Sequence, residues 1–421
     1  MSASTIASDY LRAQEQYAAL GVDTEHALRT LPKFPISIHC WQADDVGGFE
    51  RAGATLGGGG IQTTGNYPGK ARSIAEARQD YEKVFTLVPG KHRLNLHASY
   101  GEFSQPVDRD AISITQFQGW LDWGREQGVP LDFNSTCFSH PKAESGFTLS
   151  SKDAGTREFW IEHVKRCREI GAAMGVQQKS ACVHNVWIPD GAKDFTMDRM
   201  GHRRILAASL DACFAEDHDE AHLIDAVESK LFGIGSESFV AGSHEFYLGY
   251  AITRGKLLCL DMGHFHPTES VADKLSSILQ YTDELLLHVS RPVRWDSDHV
   301  VVLDDSIREL ALEIVRCGGS ANFRVALDFF DASINRVGAY VTGIRATLQG
   351  LLLGLLEPRA LLLEAEESGN GFKKLGLLET AKTLPFGAVW NQYCAMHNVP
   401  AGAGWIEEVL SYEREVTGKR F

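Results

Sequence analysis

Long apolar runs are absent from this sequence. No stretch of the 421 residues approaches the roughly 18 uninterrupted apolar residues that a membrane-spanning helix needs. The first residues, MSASTIASDYLRAQEQ, lack the basic start and apolar core of a secretory signal. The eight cysteines are scattered and form no CxxC pair, so we expect reduced, mostly buried thiols. These absences predict a cytoplasmic protein without a membrane partner.

Basic residues are scarce as well. Lysine and arginine number 41 against 55 aspartate and glutamate residues, which gives a formal net charge of −14. Binding to a polyanion needs clustered lysine and arginine, so we expect no nucleic-acid partner. The sequence also has no low-complexity tract, no internal repeat and no linker rich in Pro, Gly and Ser. The hydrophobic fraction of 44% and the charged fraction of 23% are those of an ordinary globular protein.

The order of the predicted elements indicates an α/β fold. Residues 5–31 have helical apolar spacing and end before Pro32, which predicts a leading helix. Apolar stretches then recur, with helix-like segments such as 114–128 and 156–175 between them. The predicted strands lie within 36–42, 93–98, 131–138, 182–190, 222–230, 258–267, 285–299 and 324–336. Eight strands alternating with helices predict a (β/α)8 TIM barrel, although an open doubly wound sheet has the same alternation.

The last part of the chain is predicted to be helical. Apolar helical runs follow the eighth strand and are interrupted by Pro358, Pro385 and Pro400. They are too long merely to close a barrel and too short for an independent domain. We therefore predict a barrel with its leading helix over 1–335, and a C-terminal helical extension over 336–421 that takes part in oligomerisation.

Four successive predicted strands run from an apolar core into residues that bind metals. A parallel strand covered on both faces is continuously apolar, and the chemistry of such a barrel lies where its strands end. Strands five to eight supply one ligand each: Glu228, Asp261, His288 and Asp328. Three oxygen donors and one nitrogen donor suit a divalent ion such as Mn²⁺, Mg²⁺, Co²⁺ or Zn²⁺. A single residue of this kind is more often a strand cap or a salt-bridge partner, but like charges gathered at one place need a cation.

A second set of candidate ligands lies close to the first in the sequence. His264 follows Asp261 by three residues, and Asp296 and Asp298 form a D-x-D pair after the seventh strand. Two carboxylates at i and i+2 in an extended loop can hold one ion, with His264 completing the site and Asp261 free to bridge. The sequence therefore predicts two divalent ions per subunit, which can orient a substrate and stabilise developing negative charge together.

Other residues near these strand ends are candidates for substrate binding and catalysis. Lys230 lies two residues after Glu228 on the same side of a strand, where its ammonium can polarise a carbonyl oxygen or form an ion pair with an acidic residue. His97, at the end of the second strand, is a candidate partner for a substrate hydroxyl. Trp187, after the fourth strand, is a candidate floor for a sugar pocket or a plain core residue. The candidate catalytic residues are Lys230, His264, Asp296, Asp298 and Asp328.

Long motifs along the chain resemble those of the bacterial L-rhamnose isomerase family. They run from about residue 10 to the C-terminus and include HCWQADDVGGFE, TGNYPGKAR, LDFNSTCFSHP, WIPDGAKD, DAVESKLFGIG, LDMGHFHPTE, HVSRPVRWDSDHVV and LDFFDASINR. The resemblance implies a metal-dependent aldose–ketose isomerase with a (β/α)8 barrel that assembles as a cytoplasmic homotetramer. Its substrates would be L-rhamnose and L-rhamnulose, interconverted by a hydride shift in rhamnose catabolism.

The resemblance also assigns the two metal sites by position. It implies one metal on the four strand-end ligands Glu228, Asp261, His288 and Asp328. It implies a second, catalytic Mn²⁺ on His264, Asp296 and Asp298.

Three other functions use similar residues. Another sugar isomerase or epimerase on the same barrel is the nearest, because strand-end metals serve several ketose reactions. A metal-dependent phosphodiester hydrolase uses carboxylate and histidine ligands too, but the acidic net charge argues against its substrate. A carbohydrate-binding protein stabilised by a metal would leave the D-x-D pair unexplained.

Overall fold

The computed structural model of this chain describes residues 2–50, 63–230, 237–293 and 297–420. Eight parallel strands close into a barrel, and two short strands pair antiparallel outside it. The strands are β1 (Ile36–His39), β2 (Arg93–His97), β3 (Leu131–Asn134), β4 (Cys182–Val186), β5 (Gly191–Ala192), β6 (Leu223–Glu228), β7 (Phe239–Val240), β8 (Leu257–Asp261), β9 (Leu285–Val289) and β10 (Phe323–Leu327). The closed barrel confirms the predicted TIM fold and excludes the open doubly wound sheet.

The barrel strands follow one another around the ring in chain order. The ring is β1, β2, β3, β4, β6, β8, β9 and β10, and it closes where Ile36 of β1 pairs with Val325 of β10. These strands are almost entirely buried because helices cover the outside and side chains fill the inside. The remaining pair, β5 and β7, lies in the loops that leave the carboxyl ends of β4 and β6. The sequence analysis did not predict these two strands, which have only two residues each.

Fourteen helices are found within the described residues, and most of them surround the barrel. They are α1 (Ala3–Ala18), α2 (Thr24–Thr30), α3 (Ile74–Phe85), α4 (Gln118–Gln127), α5 (Ala154–Gln178), α6 (Arg199–Cys213), α7 (His244–Arg254), α8 (Ala272–Ile278), α9 (Asp305–Arg316), α10 (Arg336–Leu355), α11 (Arg359–Glu367), α12 (Gly371–Ala381), α13 (Phe386–Met396) and α14 (Gly404–Glu415).

The leading helix predicted over 5–31 is interrupted and forms two helices. Gly21 has φ +74°, a left-handed conformation that glycine adopts at little cost. Asp23 then begins α2 by accepting a hydrogen bond of 2.9 Å from the backbone N–H of His26. The helical spacing of the apolar residues continues across this turn, which is why the sequence alone predicted one helix.

Helix α10 completes the outer ring of the barrel. It packs against α9, which precedes β10, and it also contacts α3, which follows β1. Helix α10 therefore closes the ring of helices around the barrel. The predicted boundary at 335/336 therefore falls between the eighth barrel strand and the helix that follows it. No single helix in the described ranges is long and apolar enough to cross a membrane. Helices α10 and α11, which are bent by 53° relative to each other, reach the length and apolar composition of a membrane span only when they are taken together.

The C-terminal extension folds back onto the barrel. Arg420 donates to Asp80 of α3 at 2.7 and 2.8 Å, and both side chains are buried. Tyr412 donates its hydroxyl to the same carboxylate at 2.7 Å. Earlier in the extension, α13 packs against α1. The two ends of the chain are thus both held on the outside of the barrel.

The inside of the barrel is divided into a polar half and an apolar half. On β2 to β4 the strand register places Asn95 beside Asp132 and Asn134 beside Asn185. The opposite half contains most of a cluster of largely small apolar side chains, to which β4 adds Val183: Val183, Ala226, Leu257, Cys259, Leu286 and Ala326. The candidate metal ligands lie above this apolar half, at the carboxyl ends of β6, β8, β9 and β10.

Candidate metal centre

Four candidate ligands from four neighbouring strand ends lie together at the barrel mouth. One ligand atom each of Glu228, Asp261, His288 and Asp328 lies within 4.8 Å of the others. The Nδ1 atom of His288 is 3.4 Å from Glu228 Oε2, 3.3 Å from Asp328 Oδ2 and 3.8 Å from Asp261 Oδ2. The parallel register brings them together, since Asp261 and His288 are direct partners on β8 and β9.

Neighbouring side chains hold three of these carboxylates in place. Asn185 donates its amide to Glu228 Oε2. Ser290 donates its hydroxyl to Asp261 Oδ1 at 3.2 Å, and Trp41 donates its indole N–H to Asp328 Oδ1 at 3.0 Å. Asn185, Ser290 and Trp41 were not predicted from the sequence. A signal was available for Asn185, which lies two residues before Trp187 and so on the same side of β4.

The charges of this group favour a bound cation. Burial, reinforced by the carboxylates of Asp328 and Glu228, raises the pKa of Asp261 to about 8. Burial alone would also raise the pKa of Asp328, but the hydrogen bond and charge of His288 bring it below its usual value. Three acidic groups with little access to water are therefore compensated by two imidazoles, those of His288 and His264.

The unpaired atoms of the group fit a divalent ion. Among the described residues, Glu228 Oε1, Asp261 Oδ2 and His288 Nδ1 are buried and have no hydrogen-bond partner. Buried polar atoms are normally satisfied, and an ion would satisfy these three at once. The chemistry of the donors, carboxylate oxygen and imidazole nitrogen, is that of Mn²⁺, Mg²⁺, Co²⁺ and Zn²⁺ sites. The thiol of Cys259 is also near Glu228 and His288, but burial raises its pKa well above the usual range and keeps it protonated.

The second predicted set of ligands is only partly described. His264 lies at the edge of the first group, with Nδ1 3.3 Å from Glu228 Oε1. Asp298 is half-buried and has φ +42°, a backbone conformation that residues other than glycine seldom adopt. Asp296 lies outside the described residues. The structure therefore places His264 beside the first site.

Lys230 forms the ion pair that the sequence analysis considered as an alternative to a catalytic role. Its Nζ donates to Glu237 Oε1 at 2.6 Å and to the carbonyl oxygen of Pro189 at 2.7 Å. The lysine side chain is buried, and its Nζ is 6.0 Å from the centre of the Trp187 ring. An ammonium group has three donors, so one remains beyond these two contacts.

Aromatic rings line the side of the mouth opposite the ligand strands. Trp41, His97, Phe138 and Trp187 follow one another along the ends of β1 to β4, with successive ring centres 4.7, 5.4 and 5.9 Å apart. We call these four residues the aromatic wall. It is joined to the ligand group through the Trp41–Asp328 hydrogen bond and to Lys230 through Trp187.

His97 is held in the wall as a neutral ring. Its Nδ1 is 3.0 Å from the hydroxyl of Thr136. Burial lowers the pKa of His97 to about 3, so the ring carries no charge at neutral pH. A neutral imidazole with one nitrogen held in this way can offer the other to a hydroxyl group. His97 and Trp187, predicted to contact substrate, thus lie in one wall.

Comparison with known proteins gives a consistent result along the chain. The family model of L-rhamnose isomerase (RhaA) matches residues 4–420. The L-rhamnose isomerase of Rhodopirellula baltica is 53% identical over 418 residues, which cover 99% of this chain and 98% of that protein. The L-rhamnose isomerase of Bacteroides thetaiotaomicron is 54% identical over 412 residues, which cover 98% of each. Among solved structures, an L-ribulose 3-epimerase aligns at 12% identity with a TM-score of 0.47, covering 79% of this chain and 97% of its own. Because the family model and these relatives span almost the whole sequence, the chain belongs to the L-rhamnose isomerase family of enzymes.

Proposed function

We propose that this enzyme interconverts L-rhamnose and L-rhamnulose in rhamnose catabolism, by moving hydrogen between C1 and C2 of the open-chain sugar as hydride. The observation that carries the proposal is the group of Glu228, Asp261, His288 and Asp328 beside the aromatic wall, in a chain of the L-rhamnose isomerase family. A mouth with a polar ionic side and a ring-lined side suits a sugar, which has both hydroxyl groups and C–H faces.

The metal ligands are assigned to two divalent ions in each subunit. Glu228, Asp261, His288 and Asp328 hold the first ion. His264, Asp296 and Asp298 hold the second, for which Mn²⁺ is the proposed ion; Mg²⁺, Co²⁺ or Zn²⁺ are alternatives at one site. When bound, these ions polarise neighbouring sugar oxygens and stabilise the negative charge that develops on them.

The side chains around the ions orient the sugar. The remaining donor of Lys230 polarises the carbonyl oxygen, while Glu237 and Pro189 keep the ammonium in place. His97 makes a hydrogen bond with a sugar hydroxyl, and the face of Trp187 packs against C–H groups. In the aldose-to-ketose direction, hydride passes from C2 to C1 and the proton of the C2 hydroxyl passes to the C1 oxygen, so the sugar neither gains nor loses atoms.

Two measurements test the reaction and its course. Protein stripped with a chelator should not convert L-rhamnose, and Mn²⁺ should restore the conversion. In deuterated water, hydride transfer keeps the hydrogen within the sugar, so NMR should show no deuterium on the carbon of the product. Full activity after verified metal removal would contradict the metal assignment, and deuterium at C1 of the ketose would contradict hydride transfer.

A charge-removing variant tests the role of Lys230. Lys230→Met should lower kcat for L-rhamnose by about 10²- to 10³-fold, the usual loss when one group that stabilises developing charge is removed. Lys256→Met is the matched control, since Lys256 pairs with Asp225 at 3.3 Å instead of facing the mouth. A Lys230→Met enzyme as active as Lys256→Met would show that Lys230 is only structural.

The C-terminal extension is the proposed contact between subunits in a homotetramer. Helix α12 buries no residue within the protein, and it exposes Phe372 (87%) and Leu375 (60%). Large apolar side chains exposed together commonly mark a protein interface. A second copy of the chain is therefore the proposed partner of α12.

A further inference from the structure

A cavity lined by both polar and apolar side chains lies inside the barrel, beneath the group of metal ligands. Its volume is about 180 Å³, several times the roughly 30 Å³ that one water molecule takes in the liquid. The lining begins at Lys33 and Ser320, near the amino-terminal ends of the strands, and reaches Asn185 and His288. The barrel mouth lies at the opposite ends of the same strands, so this cavity approaches the ligand group from the other side.

The lower wall of the cavity is a fixed polar surface. Asp132 accepts hydrogen bonds from Ser37 Oγ at 2.6 Å, from Arg93 at 2.8 Å and from the backbone N–H of Val183 at 2.9 Å. Asp132 and Ser37 are buried, and the side chain of Arg93 is nearly so. Because Asp132 and Arg93 are paired with each other, this polar wall is stable as it stands and the cavity does not have to close around it.

The upper end of the cavity has polar atoms without partners. Asn185 and His288 are 3% and 2% exposed, and Asn185 Oδ1 and His288 Nε2 have no hydrogen-bond partner in the part of the chain that the structure describes. The Asn185 amide nitrogen already donates to Glu228, and His288 Nδ1 points toward the carboxylates of the metal-ligand group. Both residues line the cavity, and a buried acceptor left unpaired is costly.

We propose that this cavity is a built water site, a column of bound water that enters at the amino-terminal end of the barrel and ends at Asn185 and His288. Water in the column donates to Asn185 Oδ1 and so keeps the amide turned with its N–H toward Glu228. Arg93, Asp132 and Asn95 give this water polar partners in a lining that also includes Leu286 and Phe323. The metal-ligand group thereby has a connection to solvent that remains open when a ligand fills the mouth.

A matched pair of substitutions tests whether the cavity is wet. Ala326 and Ala226 are both fully buried strand residues, and each precedes a candidate ligand by two positions. Both belong to the small apolar cluster inside the barrel, but Ala326 also lines the cavity, whereas Ala226 does not line it and is the register partner of Leu257. Ala326→Ser should leave the melting temperature nearly unchanged because water can pair with the new hydroxyl. Ala226→Ser should lower it by several degrees because a hydroxyl buried in an apolar cluster is destabilising.

Equal losses in the two serine variants would contradict the proposal. A crystal structure of the unsubstituted protein, with and without xenon pressure, gives a second readout that does not depend on folding of a variant. We expect ordered water bonded to Asn185 Oδ1 and no xenon in the cavity. Xenon bound there, or a cavity without ordered water, would show that it is a dry packing space. Neither experiment involves a sugar, so both outcomes are independent of the proposed isomerase activity.

Discussion

At the scale of single residues, the position of Glu228 depends on Asn185. The amide of Asn185 donates to Glu228 Oε2, and both side chains are buried. Asn185→Ala removes this donor and lets the carboxylate turn. We expect the affinity for a divalent ion to fall by about 10- to 100-fold, the usual effect of losing a residue that orients a ligand. Titration calorimetry of Mn²⁺ into chelator-treated protein measures this loss.

Asn134 provides the control for this prediction. It is the register partner of Asn185 on β3, but its amide donates to Asn95 Oδ1 at 2.8 Å rather than to a ligand. Asn134→Ala should therefore leave the ion affinity within about two- to threefold of the parent, inside the usual context-dependence of a single contact. If the ion affinity fell equally in both variants, the loss would come from a general destabilisation of the barrel interior and not from the release of Glu228.

The sequence predicted the ligand group more readily than its supporting residues. Glu228, Asp261 and His288 end apolar strands, and parallel strands in a barrel bring such ends together. Trp41 and Asn185 contact the ligands only because β1 and β4 become their neighbours in the closed ring. Their residue types alone do not indicate this contact, since tryptophan and asparagine occur in strands for many other reasons.

At the scale of elements, the buried pair of Arg420 and Asp80 attaches the end of the chain to α3. Arg420→Met leaves the Asp80 carboxylate, which is 1% exposed, without its charged partner and with the hydroxyl of Tyr412 as a remaining donor. Breaking a buried pair on one side costs about 3–5 kcal/mol, so we expect a marked loss of stability in urea unfolding. Glu408→Gln is the control, because its pair with Lys83 lies at the surface and should contribute less than about 1 kcal/mol. Comparable losses would mean that the buried pair has no special role.

Helix α12 gives a second prediction at this scale. Placing glutamate at both Phe372 and Leu375 puts charge into the proposed subunit contact, and we expect the assembly to separate into smaller species. Size-exclusion chromatography with light scattering measures the mass. Tyr281→Glu is the control, since Tyr281 is also highly exposed but lies in the loop after α8 and is not part of the extension. An unchanged mass for the double variant would exclude α12 from the interface.

At the scale of the whole molecule, buried neutral histidines should make the fold sensitive to acid. Burial lowers the pKa of His163 to about 3 and that of His92 to about 4. An unfolded histidine takes up a proton below pH of about 6.5, so between that value and the folded pKa the unfolded state binds more protons. Stability should therefore fall as the pH drops below about 6.5, by up to ~1.4 kcal/mol per pH unit for each such histidine.

Replacing one of these histidines tests this origin of acid sensitivity. His92 lies before β2, where its Nδ1 accepts from the backbone N–H of Ile36 at 3.3 Å. His92→Gln should have a smaller slope of unfolding free energy against pH between 6.5 and about 4, whatever its stability at neutral pH. The measurement is urea unfolding at several pH values. A slope equal to that of the parent protein would assign the acid sensitivity to other groups.

The overall fold was predictable because its signals are long and repeated. Eight apolar segments at strand length, with helical segments between them, indicate the barrel even where each segment alone is ambiguous. The break at Gly21 and the two-residue strands β5 and β7 were not predicted. These features depend on single backbone conformations and on the distance between two loops, which leave no periodic pattern in the sequence.

The division of the barrel mouth into two sides has a consequence for engineering this enzyme. The aromatic wall belongs to the ends of β1 to β4 and the loops after them, whereas the ion ligands of the described group come from β6 to β10. Phe138 and Trp187 touch the proposed sugar space without bonding to any ligand. A variant library restricted to these two positions can therefore explore new sugars while the ion affinity stays that of the parent, so selectivity and catalytic machinery can be altered one at a time.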